Sequence, residues 1–358
     1  MKRIVLLALG SVFVILLPAQ PADELQKSVK QLQDQVDGYK HTFDVLNKKL
    51  DDLLWYEKVG DLAFIDKVQM TGPPVWKEKN PAAQGAGNPV LFWSYVFIPK
   101  SVDANKKYPL IVLPHDGVHS SFTTNYAHVI RELMYQGYIV VSADYRGSTG
   151  YGNGFYKKID YGGLEVTDVK VSRDYMIANY DIVDKNRIGI IGWSHGGLIT
   201  LMNIFNYPTD YQVAYAGVPV SDLVARMGYK SQSYRDLYEA DYHIGQSAEE
   251  NVKEYRRRSP IWNVEKMKDT PLLIHTNTND EDVNVLEVEQ LIRALKAEDK
   301  KFEYEIFKDI EGGHTFDRLD TKIAQEIRIK MYKFLSQRLK PNQTINNVKE
   351  LRQAAYRF

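Results

Sequence analysis

Cysteine is absent from all 358 residues of this chain. Without it the protein has no disulfide framework, no thiol nucleophile and no zinc site with thiolate ligands. A chain without cysteine suits an oxidising compartment, although the absence alone does not establish one. The chemistry of any catalytic site must therefore come from other residue types.

An excess of either charge is also missing. The chain has 46 Lys and Arg residues against 46 Asp and Glu residues, and its isoelectric point is about 7.1. No basic stripe points to a nucleic acid partner, and no acidic run is typical of a solvating tail. No internal repeat is visible, which argues against a propeller or a solenoid within this chain.

The sequence has no apolar run of the roughly 20 residues that cross a membrane. Residues 4–17 form a shorter run, which follows the basic residues Lys2 and Arg3. A basic start, an apolar centre and small residues at Ala19 and Ala22 are typical of a secretory signal. We predict a signal peptide at residues 1–20 and a periplasmic or secreted protein with no integral span after its removal. A retained N-terminal anchor is the alternative.

Residues 23–70 begin with regularly spaced apolar side chains. Steps of four and three residues alternate, which predicts a helix with a heptad seam over four repeats. This heptad seam consists of Leu25, Val29, Leu32, Val36, Tyr39, Phe43, Leu46, Leu50 and Leu53. So narrow a stripe must be buried against another surface. Self-association of residues 24–55 as a coiled coil, which gives a homo-oligomer, and packing along the following domain are both compatible with the sequence.

Composition changes after this segment. Residues 71–89 are rich in Pro, Gly and Ala, which predicts a linker or hairpin loop. Short apolar strands then alternate with helical segments over residues 90–340, and residues 341–358 follow as a tail. The expected strands are 91–98, 110–114, 138–143, 188–191, 213–217, 271–276 and 302–307, and the expected helices are 126–136, 166–178, 198–206, 285–297 and 321–338. This alternation predicts an α/β domain with a mostly parallel sheet covered by helices on both faces.

The motif at residues 192–196, Gly-Trp-Ser-His-Gly, lies between an expected strand and an expected helix. This arrangement is that of a nucleophile elbow, in which a tight turn raises the serine above the sheet. The two glycines are needed because side chains there would clash. We predict Ser194 to be a nucleophile. An ordinary turn in which Ser194 caps the following helix is the alternative.

Two further candidates follow later strands, at the edge where parallel sheets form their sites. An acidic loop with Asp280 and Asp282 follows the strand at 271–276, and His314 follows the last strand. The order Ser, acid, His is that of the α/β-hydrolase fold. In this hypothesis Ser194 attacks an acyl carbonyl, His314 transfers the proton and Asp280 orients the imidazole. Asp282 is the alternative to Asp280.

An acyl-transfer site also needs hydrogen-bond donors for the developing oxyanion. The backbone N–H of His195, directly after the nucleophile, is the first expected donor. The second is expected from the loop after the strand at 110–114, where Gly117, or alternatively Asp116, supplies it. This chemistry requires no metal and no cofactor.

Three stretches resemble the catalytic domain of the prolyl oligopeptidase family, most closely its acylaminoacyl-peptidase-like branch. They are Asp-Tyr-Arg-Gly-Ser-Thr-Gly-Tyr-Gly at 144–152, Gly-Trp-Ser-His-Gly-Gly at 192–197 and Ser-Pro-Ile at 259–261. The resemblance covers about residues 90–340. It implies the nucleophile, acid and base roles for Ser194, Asp280 and His314. It also places His115 where some relatives carry a tyrosine oxyanion donor, at the start of the His-Gly-Gly of that branch.

The chain departs from the family pattern in two respects. The family normally carries an N-terminal β-propeller that filters substrates by size, whereas only the helical segment precedes the hydrolase in this sequence. The acid loop between His275 and Asp280 is also one residue longer than usual. Substrate contacts that a propeller supplies in relatives are therefore not expected to transfer.

The resemblance implies a serine hydrolase that cleaves peptide bonds through an acyl-enzyme, as aminopeptidases or oligopeptidases do. A carboxylesterase acting on small or carbohydrate-linked acyl esters is the alternative. A non-catalytic assembly protein built on the coiled coil is the contrasting class. The expected substrate contacts are His115, Arg146 and Tyr151, with Arg146 chosen because it follows a strand end.

Overall fold

The computed structural model describes residues 22–78 and 80–356 of the chain. The signal peptide expected at residues 1–20 therefore lies outside the described residues. Within the described part, no helix combines the length and the apolar character that crossing a bilayer requires.

Helix α1 (Ala22–Val59) is the first described element. The chain divides within this helix into two units, Met1–Lys40 and His41–Phe358. The described part of the first unit is helical throughout. The second unit contains the remainder of α1 and every other described strand and helix.

One eight-stranded sheet organises the second unit. Its strands are β1 (Ala63–Gly72), β2 (Val90–Pro99), β3 (Tyr108–Val112), β4 (Ile139–Asp144), β5 (Val183–Trp193), β6 (Val213–Gly217), β7 (Leu272–Asn277) and β8 (Glu303–Phe307). They lie in the order β1-β2-β4-β3-β5-β6-β7-β8. Strand β2 is antiparallel to β1 and β4, and the other neighbours are parallel. The expectation of a mostly parallel sheet is confirmed.

Helices cover both faces of this sheet. They are α2 (Ala127–Gln136), α3 (Asn153–Tyr156), α4 (Leu164–Asn179), α5 (His195–Asn206), α6 (Leu223–Tyr229), α7 (Gln232–Glu239), α8 (Val252–Arg257), α9 (Val285–Ala297), α10 (Lys322–Leu339) and α11 (Val348–Ala355). Successive side chains of β3 point to opposite faces, so that Leu110 packs with Leu198 in one core and Ile111 with Leu133 in the other. All four are fully buried, which stabilises the fold by roughly 1.5–3 kcal/mol per side chain. The expected α/β-hydrolase fold is confirmed.

Aromatic packing attaches the last turns of α1 to the second unit. Trp55 is fully buried, and its ring stacks on Phe122 at 5.1 Å and meets Phe97 edge-on at 4.9 Å. Val59, one turn later, is also fully buried. Aromatic pairs of this kind contribute about 0.5–1.5 kcal/mol beyond the burial of their area. Residues 41–59 of α1 are therefore part of the hydrolase unit.

The helical segment expected at residues 23–70 is helical only as far as Val59. Helix α1 ends at Val59, and β1 pairs with β2 from Ala63 opposite Pro99 to Gly72 opposite Val90. Of the linker expected at residues 71–89, residues 71 and 72 belong to β1, and residues 73–89 connect the two strands of a hairpin. The hydrolase unit therefore begins before residue 90. Among the described strands β1 pairs with β2 alone, and such an edge strand does not need the apolar sequence of the inner strands.

The expected tail at residues 341–358 also needs correction, since α11 packs onto the domain. Leu351 and Ala354 are fully buried in the same core as α2 and α10. The Asn347 side chain caps α11 by accepting a hydrogen bond from the Glu350 N–H at 3.0 Å. Short helices depend on such tertiary contacts, and the isolated sequence of this segment does not reveal them.

Candidate active site

Ser194 lies at the tight turn between β5 and α5. Its backbone dihedrals are φ 54° and ψ −118°, a conformation that residues with a side chain rarely adopt. The turn is held by two backbone hydrogen bonds, from Ser194 N–H to the Gly217 carbonyl at 3.0 Å and from Val220 N–H to the Ser194 carbonyl at 3.1 Å. The Ser194 hydroxyl does not cap α5. The strained backbone and the uncommitted hydroxyl are both typical of a nucleophile elbow.

Close backbone contacts explain the two glycines of the motif. A Cβ atom on Gly192 would lie 2.2 Å from the Gly196 carbonyl oxygen, and one on Gly196 would lie 2.4 Å from the Pro114 carbonyl oxygen. Neither position therefore accepts a side chain without displacement of the backbone. The second contact also brings the loop after β3 directly against the start of α5.

His314 and Asp280 form a hydrogen-bonded pair at the ends of β8 and β7. The Nδ1 atom of His314 lies 2.8 Å from Oδ2 of Asp280, whose side chain is fully buried. The other carboxylate oxygen, Oδ1, accepts hydrogen bonds from the N–H groups of Asp282 and Val283 at 2.8 and 2.9 Å. Asp280 is thus fixed in place and can hold the His314 ring in one orientation.

Asp282, the alternative acid, lies on the opposite side of the imidazole. Its Oδ2 atom is 3.5 Å from Nε2 of His314. Arg226 and Lys230 pair with the same carboxylate. Burial acts to raise the pKa of Asp282, but the two cations outweigh burial and hold this pKa below its usual value. In the described residues no hydrogen bond joins Ser194 to His314, and such catalytic bonds often tighten only when substrate is bound.

Arg318 connects the loop of His314 with the loop after β3. Its guanidinium donates a hydrogen bond to the His314 carbonyl at 2.9 Å and pairs with the carboxylate of Asp116. It also lies over the Trp193 ring, 5.6 Å from the centroid, directly before the nucleophile. Burial acts to raise the pKa of Asp116, whereas the charge of Arg318 lowers it below its usual value. Arg318 therefore joins three segments of the site.

Asp317 provides a second connection next to Ser194. One of its carboxylate oxygens accepts hydrogen bonds from Trp193 Nε1 at 2.6 Å and from the Tyr215 hydroxyl at 2.7 Å. Sequence reasoning missed both Asp317 and Arg318. The available signal was an acidic and a basic residue directly after the turn that carries His314, but nothing in their spacing distinguishes them from solvated charges.

The two expected oxyanion donors lie on facing segments. His195 is the first residue of α5, so that its N–H has no acceptor within the helix. The backbone at Gly117 has φ 79°, and a Cβ there would lie 2.7 Å from Cβ of Ser120. The N–H of Asp116, the alternative donor, is hydrogen-bonded to the Tyr126 hydroxyl at 3.3 Å. This bond leaves Gly117 as the better-placed donor of the two.

The side chain of His195 points away from solvent, so that this residue offers only its backbone to a substrate. Its ring is buried, stacks on Tyr161 at 3.8 Å and has Nε2 3.6 Å from Oε1 of Glu165. Burial lowers the pKa of the His195 ring and raises the pKa of Glu165 to about 8, with the charge of Asp160 adding to the second effect.

Arg146, one of the expected substrate contacts, is engaged within the protein. Its side chain is fully buried and forms a two-point ion pair with Asp168, at 2.7 Å on each nitrogen. The guanidinium also donates to the Pro73 carbonyl at 2.8 Å, which ties the β1–β2 connection to β4. Arg146 thus follows the end of β4, as expected, and its guanidinium is held by contacts within the protein.

His115 and Tyr151 are likewise engaged within the protein. The His115 ring is fully buried, with Nε2 3.0 Å from the Ser148 hydroxyl and with the ring stacked on Tyr145 at 4.1 Å. The Tyr151 hydroxyl donates to the buried carboxylate of Asp144. Both polar groups are therefore used in contacts within the protein, and their role as substrate contacts stays a prediction.

Comparison with known proteins finds a matching family profile and several similar sequences. A profile of the prolyl oligopeptidase family matches residues 124–342. An acylamino-acid-releasing enzyme of Arabidopsis thaliana is 30% identical over 256 residues, which are 70% of this chain and 33% of that protein. The uncharacterized peptidase YuxL of Bacillus subtilis is 29% identical over 214 residues, 59% of this chain and 32% of that protein. The chain therefore spans about a third of the length of these relatives.

A solved structure shows the same fold. The acylaminoacyl peptidase of Pyrococcus horikoshii superimposes with a TM-score of 0.63 and 20% identity, over 82% of this chain and 45% of that chain. The region that the family profile matches includes Ser194, Asp280 and His314 and begins after the loop with Gly117. Within residues 22–78 and 80–356, the chain has the hydrolase fold and α1 and no propeller.

Proposed function

The chain belongs to the prolyl oligopeptidase family, and we propose that it cleaves peptide bonds with a catalytic triad of Ser194, Asp280 and His314. The observation that carries this proposal is the hydrogen bond of 2.8 Å between His314 Nδ1 and Asp280, on the same sheet edge as the strained turn at Ser194. The order and the roles of the three residues match the triad of α/β-hydrolases.

In the acylation step, Ser194 Oγ attacks the carbonyl carbon of the scissile bond. The hydroxyl proton passes to Nε2 of His314, and the carbonyl electrons move onto the oxygen. The N–H groups of His195 and Gly117 stabilise this oxyanion, and a single such donor contributes about 10²–10³-fold to kcat. When the carbon–nitrogen bond breaks, His314 returns the proton to the leaving amine and an acyl-enzyme on Ser194 remains.

Water completes the cycle by the same route in reverse. His314 takes a proton from the water, the hydroxide attacks the acyl carbon, and the bond to Ser194 Oγ breaks with return of the proton. Asp280 stays ionised throughout and stabilises the imidazolium that forms twice in each turnover. The buried Asp280 carboxylate with its two backbone donors suits this role.

The names of the relatives make N-acylated amino acids and peptides the first substrates to test. We would compare N-acetylaminoacyl nitroanilides, free aminoacyl nitroanilides and short acyl nitrophenyl esters, using the wild-type chain and Ser194→Ala. Ser101→Ala is the matched control, because Ser101 is exposed in the turn after β2. Hydrolysis of nitroanilides that Ser194→Ala loses and Ser101→Ala keeps supports a peptidase. If the chain hydrolyses the esters but none of the nitroanilides, the proposal of a peptidase is replaced by that of a carboxylesterase.

We also propose that the protein is exported, on the basis of the signal-like residues 1–20. Determination of the N-terminal residue of protein isolated from the periplasm or the medium tests this. A mature N-terminus shortly after Ala19 is expected. Recovery of the chain with Met1 intact from the cytoplasm would contradict export.

A further inference from the structure

Helix α1 leaves the heptad seam uncovered. All nine of its residues are exposed, from 49% at Val29 to 68% at Leu53. Large apolar residues normally occur singly on a protein surface, and a continuous set marks an interaction site. The sequence was also compatible with packing of the heptad seam along the hydrolase domain. It does not bury the seam at residues 43–53, although these residues lie in the hydrolase unit.

Within residues 41–59, the hydrolase instead occupies the opposite face of α1. In the heptad register, Val29 and Val36 lie at position a and Leu32 lies at position d. Lys48 and Trp55 both fall at position f, which is farthest from a and d, and they are 4% and 0% exposed. The helix therefore attaches to its own domain through the face that a coiled coil turns outwards. Its a and d positions stay available for another helix.

We infer that residues 25–53 form a parallel, two-stranded coiled coil with a second copy of this chain. Valine at position a, as at Val29 and Val36, together with leucine at most d positions favours two parallel strands. Four heptads are also enough to define a stable coiled-coil seam. A second copy supplies a seam of the same length and pattern, so that each residue meets its own counterpart.

The residues beside the seam fit a parallel pair. Positions e and g carry only two charges, Lys40 and Lys49. In a parallel pair, Lys40 lies opposite Gln35 of the second copy, and Lys49 lies opposite Leu54. No like charges oppose each other. The remaining flanking side chains are uncharged, mostly Gln, Asn, Ser and Thr.

A membrane surface fits this helix less well. Helices that lie on membranes have a broad apolar face and a polar face rich in Lys and Arg. The seam takes only the two heptad positions a and d. Residues 24–53 also carry five lysines against six acidic residues, which gives no attraction to anionic lipids. This composition favours a second copy of the chain as the occupant.

The molar mass of the full chain tests the inference by light scattering at micromolar concentration. We expect twice the chain mass for the wild type and the single mass for Leu32→Asp/Leu46→Asp. The matched control is Lys27→Asp/Gln31→Asp, at positions f and c, which should stay dimeric. Because the seam is exposed in one copy, the variant should keep the thermal unfolding of the hydrolase. A monomeric wild type, a larger oligomer or a dimer that survives the seam variant would overturn the inference.

Cross-linking tests the parallel orientation, since the chain has no cysteine of its own. We expect Val29→Cys to form an intermolecular disulfide on mild oxidation, because equivalent residues at position a face each other in a parallel pair. Gln31→Cys, which points outwards, should not. An antiparallel pair places residue 29 opposite the far end of the other seam. Because position a faces position d in an antiparallel pair, cross-linking only between Val29→Cys and Leu53→Cys chains would overturn the parallel arrangement.

Discussion

The Nζ atom of Lys48 on α1 lies 3.0 Å from Oδ2 of Asp144 at the end of β4, and both side chains are buried. The other oxygen of Asp144 accepts a hydrogen bond from the Phe122 N–H at 2.6 Å, and Lys48 donates to the Phe122 carbonyl at 2.5 Å. Burial acts to raise the pKa of Asp144, but Lys48 holds it below its usual value. The helix that carries the seam thus also fixes the loop that follows Gly117, the proposed oxyanion donor.

Replacement of Lys48 by Met should destabilise the protein by about 3–5 kcal/mol, because it leaves the carboxylate of Asp144 buried without its cation. We expect a lower midpoint of urea-induced unfolding for Lys48→Met. Lys49→Met is the matched control, since Lys49 is exposed on the next position of the helix. Equal midpoints for the two variants would show that the Lys48 ion pair contributes nothing to the fold.

Arg318→Gln should lower kcat about 10–100-fold with little change in KM, because a misplacement of the catalytic groups by about 1 Å has an effect of this order. Arg318 holds both the His314 carbonyl and Asp116, and Arg318→Lys should recover little because an ammonium lacks the planar fork. Steady-state kinetics on the best nitroanilide measures the effect. The control is Arg293→Gln, because Arg293 is exposed and pairs with Glu289 on the surface of α9. A loss of stability with unchanged kcat would assign Arg318 a purely structural role.

Gly117→Ala should reduce kcat by about 10²-fold, the effect of losing one oxyanion donor. An alanine at φ 79° is strained, and its Cβ would lie 2.7 Å from Ser120 Cβ, so that the N–H must shift. Gly228→Ala is the control, because a Cβ at Gly228 meets nothing within 4 Å. Activity measurements on both variants check this prediction. Full activity of Gly117→Ala would remove this N–H from the oxyanion site.

Stability should fall as the pH rises from about 4.5 to 8, through the buried side chain of Glu165. Burial and the charge of Asp160 raise the pKa of Glu165 in the native protein to about 8. The charge of Arg258 and the hydrogen bonds from the backbone N–H groups of Gly162 and Gly163 lower this pKa, but they do not outweigh burial. Between the unfolded and native pKa values the native state keeps a proton that the unfolded state has lost. The contribution of Glu165 to the free energy of unfolding is therefore fully present below the pKa of the unfolded state, and it is lost as the pH rises through the native pKa of about 8.

Urea midpoints at several pH values measure this dependence in the wild type and in Glu165→Gln. The glutamine is neutral at every pH and should flatten the decline. Glu326→Gln, at a half-exposed position on α10, is the matched control and should keep the decline of the wild type. Parallel pH profiles for the wild type and Glu165→Gln would show that Glu165 is not the group responsible.

Local patterns in the sequence predicted the elements that carry Ser194, Asp280 and His314. Ser194 and Asp280 each follow an inner strand of the sheet, and an inner strand has an unmistakably apolar sequence, whereas His314 follows the edge strand β8. The triad itself remains a prediction that the geometry of the His314–Asp280 pair supports. Strand β1 was missed because an edge strand with one neighbour does not need that apolar character.

The residues that hold the site together were not predictable in the same way. Lys48 meets Asp144, and Arg318 meets Asp116, across long stretches of chain. A lysine or arginine at such positions is usually solvated, and only the tertiary structure removes it from water. The same argument applies to Arg146, because no pattern in the sequence indicates that its side chain is buried against Asp168.

A fluorophosphonate probe tests the central claim most directly, because it reacts only with a serine that a neighbouring base activates. After labelling and proteolysis, mass spectrometry should find the adduct on the peptide that contains Ser194. The adduct should disappear in Ser194→Ala, fall strongly in His314→Ala and persist in Ser101→Ala. An unlabelled Ser194 in folded wild-type protein, or an adduct on a different serine, would contradict the assignment of this chain as a serine peptidase acting through Ser194.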